Sequence, residues 1–359
     1  MPLDHYVTLG RSGLRVSPFC LGAMTFGEEW GFGTDEATSK RIMDRYIERG
    51  GNFIDTANTY NRGHSERIIG DHIGRDRAKR DRVVIATKFS ANLHSGDPNG
   101  GGANRKSIVA ACEQSLRRMQ TDYVDLYWQH WEDPFTPVEE TMRALNDLVV
   151  SGKVRYVGFS DTPAWKVAQA QVIAQFRGWS PLIALQIEYS LLERTVEGEL
   201  IPMAIDMGLG VTPWSPLRAG VLSGKYSRSN MKADSAGRAP SVARNANEHT
   251  YAVLEVLNSV ARTRETTPAR VALAWVSSRQ GVTSPIIGAR TLEQLDDNLA
   301  ALELALTPDD IEALNVVSKP KLNFPAEFLV NSHNASYGGM TVNGRSFEVS
   351  ALAHIPRRK

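Results

Sequence analysis

Short runs of β-branched and aromatic residues alternate along this chain with longer stretches whose apolar residues recur at helical spacing. The short runs fall at residues 19–22, 52–56, 82–88, 123–130, 154–160, 183–188, 210–214 and 284–288. Helical spacing occupies 37–49, 107–119, 138–151, 164–176, 198–207 and 292–302, and several of these stretches end near a glycine. Strands in strict alternation with helices, over roughly 250 residues or more, predict an α/β protein, a (β/α)8 barrel in one domain. A doubly wound nucleotide-binding fold is the rival, and it carries G-x-G-x-x-G between its first strand and helix. The nearest stretch, Gly208-Leu209-Gly210-Val211-Thr212-Pro213, lacks the third glycine and has a proline where a helix should begin.

Three segments interrupt the alternation. Residues 6–16, with Gly10 and Gly13 between two extended runs, read as a hairpin suited to closing the barrel's bottom. Residues 227–246 are rich in Ser, Arg, Ala and Gly and read as a long loop after the seventh strand. Residues 319–359 have no strong period and are expected to drape over one face of the barrel. The division is therefore a barrel over 1–318 with a tail over 319–359 that is not an independent domain. The run 75–82 alternates in charge sign, which predicts a solvated loop.

Composition is that of an ordinary globular protein, 42% hydrophobic and 23% charged, so a large core can form. A net charge of +1 gives no global attraction to nucleic acid or to an anionic membrane. No run is apolar for long enough to span a bilayer, and Met1-Pro2-Leu3-Asp4-His5 opens no secretory signal. Cys20 and Cys112 make no disulfide framework, so the expected location is the cytoplasm. The eight histidines show no metal-ligand spacing, and no metal is expected.

In a barrel of this kind the chemistry lies at the carboxyl ends of the strands. The second strand ends Phe53-Ile54-Asp55-Thr56-Ala57 and leads into Asn58-Thr59-Tyr60; the third ends in Lys88 and the fourth in His130. Singly, each has a structural role open to it: a loop-capping carboxylate, a packing tyrosine, a surface lysine, a satisfied histidine. Together they form an acid–base set. A free tyrosine titrates near 10 and is a slow acid at neutral pH. An ammonium about 4 Å away, at an effective dielectric near 20, contributes roughly 4 kcal/mol toward its ionisation. Asp55 keeps Lys88 charged, and His130 hydrogen-bonds a carbonyl oxygen and orients it. The set needs no nucleophile if a cofactor supplies hydride.

These residues resemble the aldo-keto reductase family. The match to Phe53-Ile54-Asp55-Thr56-Ala57-Asn58-Thr59-Tyr60 is specific, and Asp55, Tyr60, Lys88 and His130 repeat the family's tetrad in chain order. The resemblance runs from about Leu9 to about Leu314. It implies NADPH lying extended across the barrel top without a Rossmann motif, and reduction of aldehydes or ketones to alcohols. Carried over residue by residue, it implies that Ser160 and Gln186 hold the nicotinamide carboxamide, with Asp161 beside them where many members have asparagine. Asp55 also borders the nicotinamide, and Trp214 stacks on its ring. Ser215, Pro216, Leu217, Gly220 and Lys225 wrap the pyrophosphate, with Arg238 as a further cation. After the eighth strand, Gly288, Arg290, Gln294, Asp297 and Asn298 take the adenosine end, Arg290 meeting the 2′-phosphate.

Two other classes compete. The family includes channel-associated β subunits, redox-sensing binding modules that keep the tetrad, so the tetrad alone does not separate them from reductases. A barrel hydrolase would need paired carboxylates; Glu188 and Asp125 supply no convincing pair. The substrate is expected to be a small-molecule carbonyl, bulky or aromatic. Trp30 and Trp131, with Phe32 and Trp128, fall in rim segments beside Tyr60 and His130 and are candidates to line an apolar pocket, with Phe324, Phe328 and Tyr337 of the tail as a cover.

Overall fold

The computed structural model describes residues 2–231 and 242–350. A short antiparallel hairpin, β1 (Val7–Thr8) and β2 (Arg15–Val16), precedes the barrel. The barrel strands follow as β3 (Cys20–Gly22), β4 (Phe53–Asp55), β5 (Val84–Phe89), β6 (Val124–Gln129), β7 (Val154–Ser160), β8 (Leu182–Glu188), β9 (Gly210–Trp214) and β10 (Ile286–Gly288). From β3 to β9 each strand pairs in parallel with the next, and β10 returns to pair in parallel with β3, Gly288 opposite Gly22. The ring closes just ahead of β10, where Thr283 N–H donates to Val211 O at 2.8 Å. The predicted strand at 284–288 is thus shortened by residues spent on closing the barrel against β9.

The two faces of these strands have different partners. Cys20, Phe53, Val84, Ala86, Leu126, Trp128, Ala184 and Ile286 fill the barrel interior. The intervening residues, such as Ile54, Ile85, Tyr127, Val157 and Leu185, pack outward against the helices. Leu9 and Val16 of the hairpin join the interior set and close the bottom. That closure requires Gly10, whose φ is +60° and where a Cβ would lie 2.2 Å from Ile183 O. Gly158 makes room for Trp128 inside the barrel, since a Cβ there would stand 2.4 Å from the indole.

Side chains alternate across a strand, so the interior phase continues upward by steps of two. From Phe53, Ala86, Trp128, Gly158, Ala184 and Thr212 it reaches Asp55, Lys88, His130, Ser160, Gln186 and Trp214 at one rim. Side-chain caps start the outer helices: Asp35 for Glu36–Glu48, Asn104 for Arg105–Met119 and Thr291 for Leu292–Ala300.

Two expectations change. The charged run is not wholly a solvated loop. Asp76 caps a short helix, Arg77–Arg80, and Arg80 is buried, donating to Val83 O and Tyr123 O at 2.9 Å and pairing with Asp125 at 2.8 Å. The tail contains a helix, Ala326–Tyr337, and a hairpin, Thr341–Val342 with Arg345–Ser346. Its period is hard to read because Phe328 and Leu329 remain exposed, so among the described side chains no buried stripe selects one face. The tail's start reaches Gly198, near Leu322 and Ala326. Its aromatic rings meet one another instead of Trp30 or Trp131: Phe324 meets Phe328, and Tyr337 meets His333 and Phe347. Among the described residues, no helix is long and apolar enough to cross a membrane.

Candidate active site

Asp55, Lys88 and Tyr60 meet inside the rim. The Lys88 ammonium is fully buried and donates to Asp55 Oδ1, to Thr56 O at 2.8 Å and to Tyr60 Oη at 3.1 Å. Its three donors therefore have three acceptors. The second carboxylate oxygen of Asp55 receives Gln186 Nε2 at 3.0 Å. Burial works against the charge of Lys88, but Asp55 and Tyr60 outweigh it and hold the ammonium above its ordinary range. For Tyr60 the balance differs from the simple charge argument. Burial raises the hydroxyl more than the nearby ammonium lowers it, so the phenol stays protonated.

His130 completes the group. Its ring lies edge-on to Tyr60, centroids 5.8 Å apart. Burial first, and then Lys88, push it down to about 2, so the imidazole is neutral, and its Nδ1 is buried without a protein partner. Trp131 stacks on His130 at 4.5 Å, Trp30 meets Tyr60 edge-on at 6.0 Å, and Phe32 follows Trp30 at 5.9 Å. A row of five rings, Phe32–Trp30–Tyr60–His130–Trp131, crosses the rim. Trp128 belongs elsewhere: it is wholly buried inside the barrel, beneath His130.

On the opposite side of the rim, Ser160 faces Gln186 in register, and Ser160 Oγ is buried without a partner. Trp214 donates its indole N–H to Asp161 Oδ1 at 3.0 Å, which sets the ring's orientation. The protein packed around Asp161 draws its carboxyl upward; the Trp214 bond opposes this and Glu188 adds to it. Asp161 also opens to solvent at the mouth, which tempers the rise. After β9 the chain turns through positive φ at Ser215, Arg218, Ala219 and Gly220, and Ser215 Oγ accepts Ala219 N–H at 3.0 Å. Pro216 is buried and Leu217 half-buried, while Lys225 is exposed with its ammonium over the Tyr226 ring. Arg238 lies outside the described residues.

Beyond β10, Gly288 and Arg290 are exposed. Arg290 N–H donates to Gln294 Oε1 at 2.9 Å, and its guanidinium has no ion-pair partner among the described residues. Asn298 is buried and donates to Gly288 O at 3.1 Å. Asp297 is engaged within the protein, by Arg270 Nε at 2.8 Å and by Thr267.

Two site residues escaped the sequence reading. Asn58 is buried, donates its N–H to Lys88 O and leaves Oδ1 without a partner. Its place in the motif between Asp55 and Tyr60 was the available signal. Arg218 lies 2.5 Å from Glu188 and donates to Asn245, tying the strand-seven loop to the end of β8; nothing in local spacing announces that pair. No group of three or more His, Cys, Asp or Glu is placed to hold a metal among the described residues.

A family model described as the aldo/keto reductase family matches residues 18–319. The chain is 42% identical to the uncharacterized oxidoreductase YrpG of Bacillus subtilis, over 87% of this chain and 95% of that protein. It is 38% identical to norsolorinic acid reductase B of Dothistroma septosporum, over 90% of this chain and 84% of that protein. It is 36% identical to the aryl-alcohol dehydrogenase GME11368 of Pestalotiopsis microspora, over 94% and 86% respectively.

Proposed function

The chain belongs to the aldo/keto reductase family, and from that premise we propose that it is an NADPH-dependent reductase of aromatic aldehydes or ketones. The observation that carries the reading is the contact of the Lys88 ammonium with Tyr60 Oη at 3.1 Å, inside a rim that also offers a neutral His130.

When bound, NADPH supplies hydride to the carbonyl carbon. Tyr60 gives its proton to the carbonyl oxygen, and the product is the alcohol. Burial keeps Tyr60 protonated until then. Once the proton leaves, the phenolate faces an ammonium at 3.1 Å, an attraction of about 5 kcal/mol at an effective dielectric near 20. Asp55 balances the Lys88 charge, and Gln186 fixes the other carboxylate oxygen. His130, unprotonated, orients the carbonyl without competing as an acid.

The residues fit the cofactor on chemical grounds. Ser160 Oγ and Asn58 Oδ1 are buried polar atoms without partners at the rim, and an amide head group supplies what they lack. The strand-seven loop and Lys225 suit the pyrophosphate, and the exposed Arg290 suits a 2′-phosphate. The five-ring row suits a planar aryl carbonyl, and two relatives bear the names of an aryl-alcohol dehydrogenase and a norsolorinic acid reductase. Cys20 and Cys112 are free and buried, in keeping with work in a reducing cytoplasm.

The test is consumption of NADPH with 2-naphthaldehyde, benzaldehyde, an aryl ketone and propanal. Turnover of the aryl carbonyls with NADPH is expected. Turnover with none of them defeats the reductase reading, and preference for propanal defeats the aromatic part of it.

A further inference from the structure

Asn61 follows Tyr60 directly and is almost wholly buried. Its φ is +46°, the first of three successive left-handed residues, Asn61, Arg62 and Gly63. Asparagine tolerates that conformation at a small cost. Its side chain is directed at the loop after β3. Asn61 Nδ2 donates to Phe26 O at 2.9 Å and to Met24 O at 3.2 Å, and Asn61 Oδ1 accepts Trp30 N–H at 3.1 Å. Gly27 lies against it so closely that a Cβ there would stand 3.1 Å from Asn61 Cβ. One amide thus ties three main-chain groups of the Trp30 loop to the residue that follows Tyr60. A second tie runs in parallel, from Glu29 to His64 at 2.5 Å.

We propose that Asn61 is a positioning residue for substrate selection: by fastening the loop of residues 23–34, it stands the Trp30 ring against Tyr60 as a fixed wall for a planar aryl carbonyl. This rests on the reductase reading only for what happens after binding. Without Asn61 the loop keeps the Glu29–His64 tie, but Trp30 loses its main-chain anchor, and the wall no longer has one position. A large flat substrate loses contact area, whereas a small aldehyde never uses the wall. Selectivity therefore depends on a side chain that touches neither substrate nor cofactor.

The experiment measures binding of 2-naphthaldehyde by calorimetry, to the protein alone and with oxidised NADP, in which no reduction can occur. Asn61→Gly keeps the backbone conformation and removes the amide. Its dissociation constant is expected to rise about tenfold, the equivalent of about 1.4 kcal/mol. Trp30→Ala should give a similar rise, and the double variant no further one, because both changes remove the same wall. Asn61→Asp keeps the acceptor for Trp30 N–H but sets a carboxylate oxygen against Met24 O and Phe26 O where the amide donated. It should therefore move in the same direction. A cooperative thermal melt checks that each variant is folded, and Trp30→Ala tests the wall without touching Asn61. In turnover, Asn61→Gly should raise KM for 2-naphthaldehyde far more than it lowers kcat, and change kcat/KM for propanal by less than about twofold. Unchanged affinity in both Asn61 variants, additive losses in the double variant, or equal loss for propanal overturns the proposal. A wild type that binds 2-naphthaldehyde yet reduces no carbonyl refutes the reductase reading and leaves the wall standing.

Discussion

Lys88 Nζ stands 3.1 Å from Tyr60 Oη while its charge is matched by Asp55 on its other side, so the tyrosine faces an ammonium that is already neutralised in part. The arrangement favours a proton donor over a resting phenolate. Tyr60→Phe removes the donor and leaves the ring, its edge contact with His130 and the Asp55–Lys88 pair in place. Reduction should slow by at least about a hundredfold, the scale of a general-acid contribution. Cofactor affinity, measured by quenching of tryptophan fluorescence, should stay within about twofold. A variant retaining half of the wild-type kcat would remove Tyr60 from the mechanism.

The pair itself carries structural consequences. Lys88 and Asp55 are buried almost completely. Lys88→Met leaves the carboxylate with Gln186 as its remaining side-chain partner, and breaking such a buried pair costs about 3–5 kcal/mol. Urea denaturation should show that loss, and the double variant Asp55→Asn/Lys88→Met should recover most of it. In alcohol oxidation, residual activity of Lys88→Met should need a higher pH than the wild type. Burial already raises Tyr60, and the variant loses the ammonium that opposes that rise. An unchanged pH profile would show that Lys88 does not tune Tyr60.

His130 gives a prediction of opposite sign. Burial and Lys88 push it down to about 2 in the folded protein, whereas in the unfolded chain an imidazole titrates near 6.5. Between these values the unfolded chain takes up a proton that the folded one refuses. Its contribution to stability is therefore whole above about pH 6.5 and is lost progressively as pH falls toward 2. His130→Gln should flatten the fall of stability between about pH 6.5 and 4. The same neutrality means that His130→Gln, though slower, should keep the wild-type shape of kcat/KM against pH. Loss of an inflection near 6.5 on substitution would show that His130 titrates in the working enzyme.

The barrel and its rim were legible because both follow from short-range rules. Alternation fixes which residues of β4 to β9 face inward, and strand ends fix which of those reach the mouth, so Asp55, Lys88, His130, Ser160, Gln186 and Trp214 fall on one rim by counting. Long-range pairs obey no such rule. Nothing near Arg218 foretells Glu188, thirty residues earlier, and nothing near Arg80 foretells Asp125 across a neighbouring strand. The net direction of the Tyr60 shift is hidden from the sequence for a related reason. The charge of Lys88 can be read from the sequence, but the burial that outweighs it belongs to the assembled barrel. The tail helix was hidden because Phe328, Leu329 and Tyr337 lie exposed on it, so these residues mark no inward face.

Arg290 offers the sharpest test of cofactor choice. Its guanidinium is exposed and has no ion-pair partner among the described residues, although its main-chain N–H is held by Gln294 at 2.9 Å. An arginine in that condition, just ahead of the helix that Thr291 caps, is placed to meet a dianion beside the positive end of the helix. A charge-assisted contact contributes about 1.5–3 kcal/mol, so Arg290→Ala should raise the NADPH dissociation constant roughly tenfold to a hundredfold. NADH has no 2′-phosphate, and its affinity should hardly move; the preference between the two cofactors should shrink by the same factor. Arg290→Lys keeps the charge but not the bidentate fork, and should fall between wild type and alanine. Fluorescence titration with both cofactors reads all three proteins, with Trp214 as the reporting ring. Equal weakening for NADPH and NADH would make Arg290 a support for its own loop and send the phosphate contact to Lys225 or to the helix end. A wild type indifferent to the 2′-phosphate would defeat the NADPH assignment while leaving the chemistry of Tyr60, Lys88, Asp55 and His130 untouched.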